Sequence, residues 1–480
     1  MKKLKTIIIM LLLLVVLIIV YLFASPLWRE NEGEVTTEAP GDTIAAIDHK
    51  LLVGLEITAG DKKLSFSLND TSTAWVWSEN GEVPLDNVAF ATIVTEFNEA
   101  KSSFKLDGVT EKQIAEYGLS EPSFIVRFSF SDDSEKEYRI GNFNSFNSLY
   151  YLADAADMST VYMVNSALKE SIDLEIYDFV LEETPPAITE GKIVGVDYLD
   201  ASEYRDYVFY PSGNNKDYTD KYNWYYRTGL TQMSILPPEL PLDGSMADTL
   251  TELITELSFE KCVGLDDSDE KYGFSDSKKI IVRYNADEGE TGVLTEKKYV
   301  IYLGAQTESG EIYVHTEDSK LVYLLSSSDE WIEILTSDKE KLLPDEIWLP
   351  NYERVDSLIF KAAGNTLTVN VKNTDGKITY SSTASDESDA IAALITKLDD
   401  LKATSNVAYL KDEDTAVEKE LLLAVKIAFN AGEYSDLEME ITRYSRNYCL
   451  VKFGLRNDQL ITLEDAEALI GLITELTKAD

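Results

Sequence analysis

The sequence predicts an α+β protein made of three tandem repeated units, each a largely antiparallel sheet with a packed helix, after one N-terminal transmembrane helix. Three observations predict this architecture: an apolar run at the N-terminus, a series of short strands that recurs, and a helical apolar face that recurs three times. The predicted segments are a cytoplasmic tip and anchor at 1–28, an acidic linker at 29–43, and units at 44–186, 187–350 and 351–480.

The N-terminal segment predicts a membrane anchor. Lys2, Lys3 and Lys5 precede an apolar run over residues 6–24. As a helix this run spans about 28 Å, close to the ~30 Å hydrocarbon core of a bilayer. Positive residues stay in the cytoplasm, so we expect a single-pass protein whose C-terminal domains are extracytoplasmic. A cleaved signal peptide is the alternative, but cleavage after Ala24 would place Leu22 at a position that prefers small residues.

The recurring strands follow a Tyr-Gly turn. Tyr117-Gly118 leads into strand-like runs at 124–128, 138–141, 149–152 and 161–164. Tyr272-Gly273 leads into a similar series at 281–284, 299–304, 312–314 and 321–324. A fainter copy occupies 425–427, 439–441, 448–451 and 460–463. The connections are too short for parallel crossovers, so the sheets should be largely antiparallel.

The recurring helices share one spacing of apolar residues, at i, i+3, i+4 and i+7. The three sets are Phe90, Ile93, Val94 and Phe97; Leu250, Leu253, Ile254 and Leu257; and Ile391, Leu394, Ile395 and Leu398. Short strands precede each helix, at 54–58, 64–68 and 75–77 in the first unit and at 357–360, 366–371 and 377–381 in the third.

Composition restricts the classes of function. The net charge of −43 argues against nucleic acid as a partner, because phosphates need Lys and Arg. The two cysteines, Cys262 and Cys449, are expected to be core thiols. His49 and His315 fall in different units and are read as isolated, solvated side chains. No motif predicts a catalytic residue, a cofactor or a metal; the acidic runs at 132–135 and 266–270 lack EF-hand spacing and are read as solvated hairpin tips.

An aromatic hairpin over residues 204–227 supplies a candidate partner surface. Strand alternation places its side chains on two faces, and one helix can cover only one of them. We therefore expect some of this aromatic surface to stay exposed and to contact a partner. The alternative is that these side chains are ordinary cross-strand pairs. The candidate residues are Tyr207, Tyr210, Trp224, Tyr225 and Tyr226.

The motifs of the first unit resemble a bacterial family that is defined only as a domain of unknown function. The resemblance rests on residues 75–77, the Tyr117-Gly118-Leu119 turn with Pro122, Ile140-Gly141, Tyr150-Tyr151 and Val161-Tyr162. It covers about residues 54–180 well, the second unit partly and the third least. It implies a membrane-anchored, exported protein. Some members are encoded beside auxiliary subunits of gliding-motility-type ABC transporters, and the family implies no catalytic residues.

Three functions are compatible with these patterns. The first is a non-enzymatic, membrane-anchored extracytoplasmic accessory or scaffold protein, with an envelope or ABC-transporter protein as its partner. The second is a binding module for a wall polymer or peptide through the aromatic hairpin. The third is a hydrolase with a carboxylate site that the sequence does not reveal.

Overall fold

The computed structural model describes residues 44, 47–69, 71, 73–201, 203–213, 218–219, 221–227, 239–275, 278–287, 293–384, 388–406, 418–430, 436–454 and 456–478. The predicted anchor and linker lie outside these residues. Across the described ranges, no helix combines the length and apolar character needed to span a membrane. The chain divides into two compact units, Met1–Leu181 and Glu182–Asp480. The predicted division into three domains stays a prediction.

The first unit contains one eight-stranded sheet, in the order β3-β2-β1-β5-β6-β7-β8-β4. Its strands are β1 Leu52–Ala59, β2 Lys62–Leu68, β3 Trp75–Trp77, β4 Phe104–Asp107, β5 Phe124–Phe130, β6 Glu135–Asn144, β7 Leu149–Asp154 and β8 Thr160–Val164. Its helices are α1 Asn87–Glu99, α2 Glu111–Glu116 and α3 Ser166–Glu170.

The second unit begins with a nine-stranded sheet, in the order β12-β11-β10-β9-β14-β15-β16-β17-β13. Its strands are β9 Ile193–Leu199, β10 Tyr204–Phe209, β11 Trp224–Arg227, β12 Glu239–Pro241, β13 Phe259–Gly264, β14 Lys279–Asp287, β15 Leu294–Gln306, β16 Ile312–Thr316 and β17 Val322–Leu325. Its helices are α4 Gly244–Thr255, α5 Ser328–Thr336 and α6 Lys339–Leu342.

The second unit continues with an eight-stranded sheet, in the order β20-β19-β18-β22-β23-β24-β25-β21. Its strands are β18 Val355–Ala362, β19 Asn365–Thr374, β20 Lys377–Ser382, β21 Ser405–Asn406, β22 Leu421–Phe429, β23 Leu437–Arg443, β24 Tyr448–Phe453 and β25 Arg456–Thr462. Its helices are α7 Ser388–Asp399 and α8 Leu463–Leu476.

The three sheets share one topology. Opening strands form one side of each sheet, a helix then carries the chain to the far edge, and a four-stranded meander fills the space between. All the strand pairs described are antiparallel, as β1 with β5 and β18 with β22 illustrate. The structure thus confirms a sheet-rich α+β fold with three repeated antiparallel sheets.

The recurring helical face is buried, as its spacing predicts. The four predicted residues of α1 and the four of α7 are all buried. In α4, Leu250, Leu253 and Ile254 are buried, but the helix ends before Leu257, which is half-buried. Ring contacts fix α1 on its sheet, since Phe97 lies 5.1 Å from Phe128.

Each sheet also has a second helix after its last meander strand, which the sequence reading missed. These helices are α3, α5 and α8. In α8 the side chains of Ala466, Leu469, Ile473 and Leu476 are buried. Their spacing along one helical face was a legible signal. The prediction of one packed helix per unit is therefore incomplete.

The Tyr-Gly turns are fixed by close packing against a glycine in the following hairpin. Gly118 and Gly273 have φ of 74° and 64°, the left-handed region that glycine favours. A side chain at Gly141 would meet the Tyr117 carbonyl oxygen at 2.2 Å, and one at Gly304 would meet the Tyr272 carbonyl oxygen at 2.3 Å. Gly141 and Gly304 therefore occupy equivalent positions in the first two sheets.

Candidate functional site

The predicted aromatic hairpin exists, but four of its five candidate side chains are part of the core. β10 and β11 pair in antiparallel register, with Tyr207 opposite Tyr226. Tyr207, Trp224, Tyr225 and Tyr226 are buried, and Tyr210 is half-buried. Among the aromatic side chains of the hairpin, Tyr204 is 42% exposed. Contact of the five candidate residues with a partner stays a prediction.

Hydrogen bonds tie one face of the hairpin to the helices. The Tyr207 hydroxyl donates to the Ile334 carbonyl in α5 at 2.9 Å. Trp224 Nε1 donates to Thr251 Oγ1 in α4 at 2.9 Å. Two helices cover this face rather than the single helix expected, and burial raises the pKa of the Tyr207 hydroxyl.

The opposite face of the second sheet carries a group of acidic and basic side chains, here called the charge cluster. Its members come from β9, β10, β11, β12 and β14, and strand alternation directs them to one side. Asp197 and Asp206 are 8% and 5% exposed. The charge cluster consists of Asp197, Asp206, Arg227, Glu239 and Arg283.

Two arginines compensate the three carboxyl groups of the charge cluster. Arg283 Nη2 lies 2.5 Å from Asp206 Oδ1 and 3.2 Å from Asp197 Oδ1. Arg227 Nη1 lies 3.0 Å from the other oxygen of Asp206, and Arg227 Nη2 lies 2.9 Å from Glu239. Buried charges persist only when they are paired in this way.

Asp197 is the least compensated member of the charge cluster. Burial raises its pKa to about 6, and the neighbouring carboxylate of Asp206 adds to the shift. Arg283 lowers the pKa but does not offset these two effects. Asp197 Oδ1 lies within ion-pair distance of Arg283 but accepts no well-formed hydrogen bond. The carboxyl group is therefore poised to bind a proton.

Gly195 makes room for the Arg283 guanidinium. A side chain at this position would meet the Tyr207 carbonyl oxygen at 2.2 Å and Arg283 Nη2 at 2.7 Å. Gly195 pairs with Arg283 across β9 and β14, so the arginine lies over a position with no side chain. This glycine is a packing requirement of the charge cluster.

The corresponding face of the first sheet carries a charged row, formed by Glu56, Arg127 and Glu137. These residues are directly opposite one another on β1, β5 and β6. Arg127 Nη1 lies 3.0 Å from Glu56, and Arg127 Nη2 lies 2.7 Å from Glu137. Burial alone would raise the pKa of Glu137, but hydrogen bonds from Arg127 and Arg139 outweigh it and lower the pKa.

The register relates the charged row to the charge cluster. Phe124 pairs with the residue before Gly141, and Lys279 pairs with the residue two before Gly304. Counted from these equivalent glycines, Ile281 takes the place of Arg127. Ile281 pairs with Asp197 as Arg127 pairs with Glu56. The two Ile-Val-Arg runs are therefore offset by two residues. Because alternate residues of a strand share a face, Arg283 lies on the same face as Ile281, at the next position along the strand.

A groove on the third sheet contains a second carboxyl group with a raised pKa, the half-buried Asp399. It has a volume of about 620 Å³ and includes Lys221, Tyr352 and Asp399 in its wall. The Tyr352 hydroxyl donates to Asp399 Oδ1 at 2.6 Å and accepts from Trp348 Nε1 at 3.0 Å. Burial raises the pKa of Asp399 to about 6. Partly buried carboxyl groups with raised pKa values occur at binding sites and in structural networks.

The remaining sequence candidates lie apart from both sites. His315 is not a solvated side chain, because it stacks on Tyr302 at 4.7 Å and lies 3.7 Å from Asp267. Cys262 and Cys449 are free and buried, as expected. In the part of the chain that the structure describes, no group of three or more His, Cys, Asp or Glu side chains could hold a metal ion.

The comparisons with known proteins return one family. The family described as "Domain of unknown function (DUF4340)" matches residues 75–212 and 236–422, which together exceed half of the chain. The first match begins at β3 and ends after β10, so it crosses from the first sheet into the second. The boundaries of the matched segments therefore do not coincide with the boundaries of the sheets.

Other comparisons add nothing to this assignment. No curated protein matches the chain. Among solved structures, the DNA polymerase sliding clamp from Pseudomonas aeruginosa aligns with 10% identity over 88% of this chain and 93% of its own, but the TM-score is 0.12. That score supports no conclusion about fold or function. The family match alone identifies the chain: it belongs to the DUF4340 family, which is defined by a domain of unknown function.

Proposed function

We propose that the protein is a membrane-anchored extracytoplasmic accessory or scaffold protein of an envelope complex, without enzymatic activity of its own. The observation that carries this proposal is the N-terminal sequence, in which three lysines precede the apolar run 6–24. Such a segment is long enough to span a bilayer, and its flanking charge orients the following domains outward.

The repeated build supports a scaffold role. Each sheet buries one face under a pair of helices, and the three sheets keep one topology. The polar groups of the charge cluster are directed at one another rather than at a cavity, since Arg283 and Arg227 both contact Asp206. This arrangement favours a structural role for those carboxyl groups over a hydrolytic one, because hydrolysis requires access of water and substrate.

The partner we propose is a membrane protein of an ABC-type exporter. This part of the proposal rests on the resemblance to a bacterial family, some of whose members are encoded beside such transporters. Burial of Trp224, Tyr225 and Tyr226 makes the hairpin a weak candidate for the contact surface. The binding-module alternative keeps Tyr210 and the groove at Asp399 as its candidate positions.

Topology is the first test of this proposal. A reporter enzyme that is active only outside the cytoplasm is fused after Asp480. We expect reporter activity, with the intact chain in the membrane fraction, because the lysines hold the N-terminus inside. Deletion of residues 6–24 is the control and should abolish both results. Release of a shortened chain into the medium would contradict a retained anchor.

The scaffold role is tested on the same membranes. After mild detergent extraction, we expect a complex much heavier than the 53.8 kDa chain once bound detergent is subtracted. A monomeric chain in a correctly oriented membrane would leave the anchor intact and contradict the scaffold role.

A further inference from the structure

The hairpin between β6 and β7 exposes two phenylalanine side chains. Phe146 is 94% exposed at the tip and Phe143 is 50% exposed beside it. The tip is held in place, because Asn144 Oδ1 accepts from the Phe146 backbone at 3.0 Å and Asn144 Nδ2 donates to the Tyr151 hydroxyl at 2.8 Å. The Phe143 ring also packs on Tyr150 at 5.0 Å. These contacts present the apolar side chains outward from an ordered loop.

This hairpin is also uncharged in a chain with a net charge of −43. Residues 140–153 contain no Asp, Glu, Lys, Arg or His, which makes them the longest such run after residue 28. The equivalent hairpin between β15 and β16 carries Glu308 and Glu311, and the one between β23 and β24 carries Arg443 and Arg446. The uncharged tip is thus particular to the first sheet.

We propose that the tip of this hairpin, Phe143 to Phe146, inserts into the interfacial region of the lipid bilayer that holds the N-terminal anchor. The inference rests on the proposed anchor, which keeps the first unit beside the membrane and makes even weak partition effective. An acidic surface is repelled by anionic lipid, so an uncharged apolar loop is the part best suited to approach it. Protein contact sites favour Trp, Tyr and Arg, whereas this tip offers Phe, Asn and Ser.

The chain between the proposed anchor and the first sheet is long enough for the hairpin tip to face the membrane. The tip lies at the end of the sheet opposite Leu52, since Leu52 pairs with Phe130 and Phe124 pairs with Ile140. An eight-residue strand is about 26 Å long at ~3.3 Å per residue. Residues 25–46, fully extended, span at most about 75 Å. The chain between anchor and sheet can therefore pass the length of the sheet.

The test uses the full chain reconstituted into phosphatidylcholine vesicles, with and without phosphatidylglycerol. Ser145→Cys, exposed at the tip, is labelled with an environment-sensitive dye while the two native cysteines stay buried. Quenching by nitroxide-labelled lipid reports insertion. We expect strong quenching, weaker with phosphatidylglycerol, and a loss of about tenfold in the inserted-to-free ratio for Phe146→Ser, since one phenylalanine leaves the lipid.

Two controls match the labelled tip. Ser309→Cys places the same dye on the polar hairpin between β15 and β16 and should not be quenched. Val88→Ser removes another exposed apolar side chain, 66% exposed on α1, and should leave quenching at Ser145→Cys unchanged.

Each other outcome rejects the insertion. No quenching in vesicles that retain the chain after carbonate extraction would reject it while the anchor stands; failure of retention would reject the anchor itself. Quenching that survives Phe146→Ser would mean that the tip is only near the lipid. Dye shielding that depends on protein concentration would assign the tip to a second copy. Cross-linking of an unquenched tip to a membrane protein would assign it to a protein partner.

Discussion

The charged row of the first sheet and the charge cluster of the second occupy the same face of the same fold but differ in burial. In the charged row, the side chains of Glu56 and Arg127 are 24% and 36% exposed. In the charge cluster, those of Asp206 and Arg283 are 7% and 14% exposed. The third sheet departs further, with Ile359 opposite Lys426, which pairs instead with Asp436 at 2.7 Å.

The difference shows how burial changes the role of an ion pair. Water screens the charged row, so its pairs contribute little to stability. The charge cluster is screened less, and its carboxyl groups depend on Arg283 and Arg227. The offset of the arginine by two residues, together with the absence of a side chain at Gly195, allows one guanidinium to contact carboxylates on two strands, Asp197 on β9 and Asp206 on β10.

The largest expected effect follows from removing the shared arginine. Arg283→Met leaves Asp197 and Asp206 buried beside each other with one cationic partner fewer. Loss of one member of a buried ion pair costs about 3–5 kcal/mol. We expect the free energy of unfolding of the second unit to fall by that amount at pH 7, measured by urea unfolding followed through tryptophan fluorescence.

The matched control is Arg127→Met in the charged row, where about 0–1 kcal/mol is expected. Equal losses for the two arginines would show that burial does not distinguish the two faces.

The sequence predicted these sheets better than it predicted these sites. Alternation and helical spacing are local properties, so the sequence could predict β1, β3, α1 and α7. The charge cluster could not be predicted, because its residues come from five strands and lie up to 86 positions apart in the sequence, from Asp197 to Arg283. The two Ile-Val-Arg runs match in sequence, but the strand register offsets Arg127 and Arg283 by two residues.

Burial of the aromatic hairpin also depends on contacts beyond the local sequence. Its alternation was read correctly, with Tyr207 and Phe209 on one face. On the other face the hairpin pairs with itself, since Tyr210 lies edge-on to Tyr225 at 5.7 Å, as the cross-strand alternative predicts. Polar tips on aromatic side chains do not by themselves indicate exposure, because the Tyr207 and Trp224 tips donate hydrogen bonds to the helices α5 and α4.

The second prediction concerns the glycines beneath the two charged faces. Gly195→Ala places a methyl group against the Tyr207 carbonyl and the Arg283 guanidinium, so β10 or the arginine must move. Overpacking of this kind costs about 1–3 kcal/mol. Gly54→Ala is the equivalent change in the first sheet, where the nearest atom is Ser129 Cβ at 3.2 Å.

We expect a clear loss of melting temperature for Gly195→Ala and a smaller one for Gly54→Ala. The measurement is differential scanning calorimetry of the two variants beside the parent chain. A larger loss for Gly54→Ala would refute the proposed packing role of Gly195.

The smallest expected effect is a difference in pH dependence between the two units. The pKa of Asp197 is raised to about 6 in the folded state, so the folded state binds its proton more tightly than the unfolded state does. Stability from this group is full below about pH 4 and declines as the pH rises to about 6. Asp399 shifts in the same direction. The lowered pKa of Glu137 acts oppositely, and its contribution is lost only as the pH falls below about 4.

Between pH 4 and 6 the free energy of unfolding of the second unit should therefore decrease as the pH rises. In the first unit, the contribution of Glu137 is already complete near the upper end of this range and stays constant there. Calorimetry at stepped pH resolves the two, with the second unit identified by the transition that Arg283→Met shifts. Asp197→Asn cannot titrate, so it should remove part of the decline, about 1–2 kcal/mol. Asp399→Asn should remove a separate part, because the two carboxyl groups belong to different sheets. An unchanged decline in both variants would show that neither carboxyl group is protonated more readily in the folded chain, and the contrast between a screened charged row and a poised charge cluster would then rest on geometry alone.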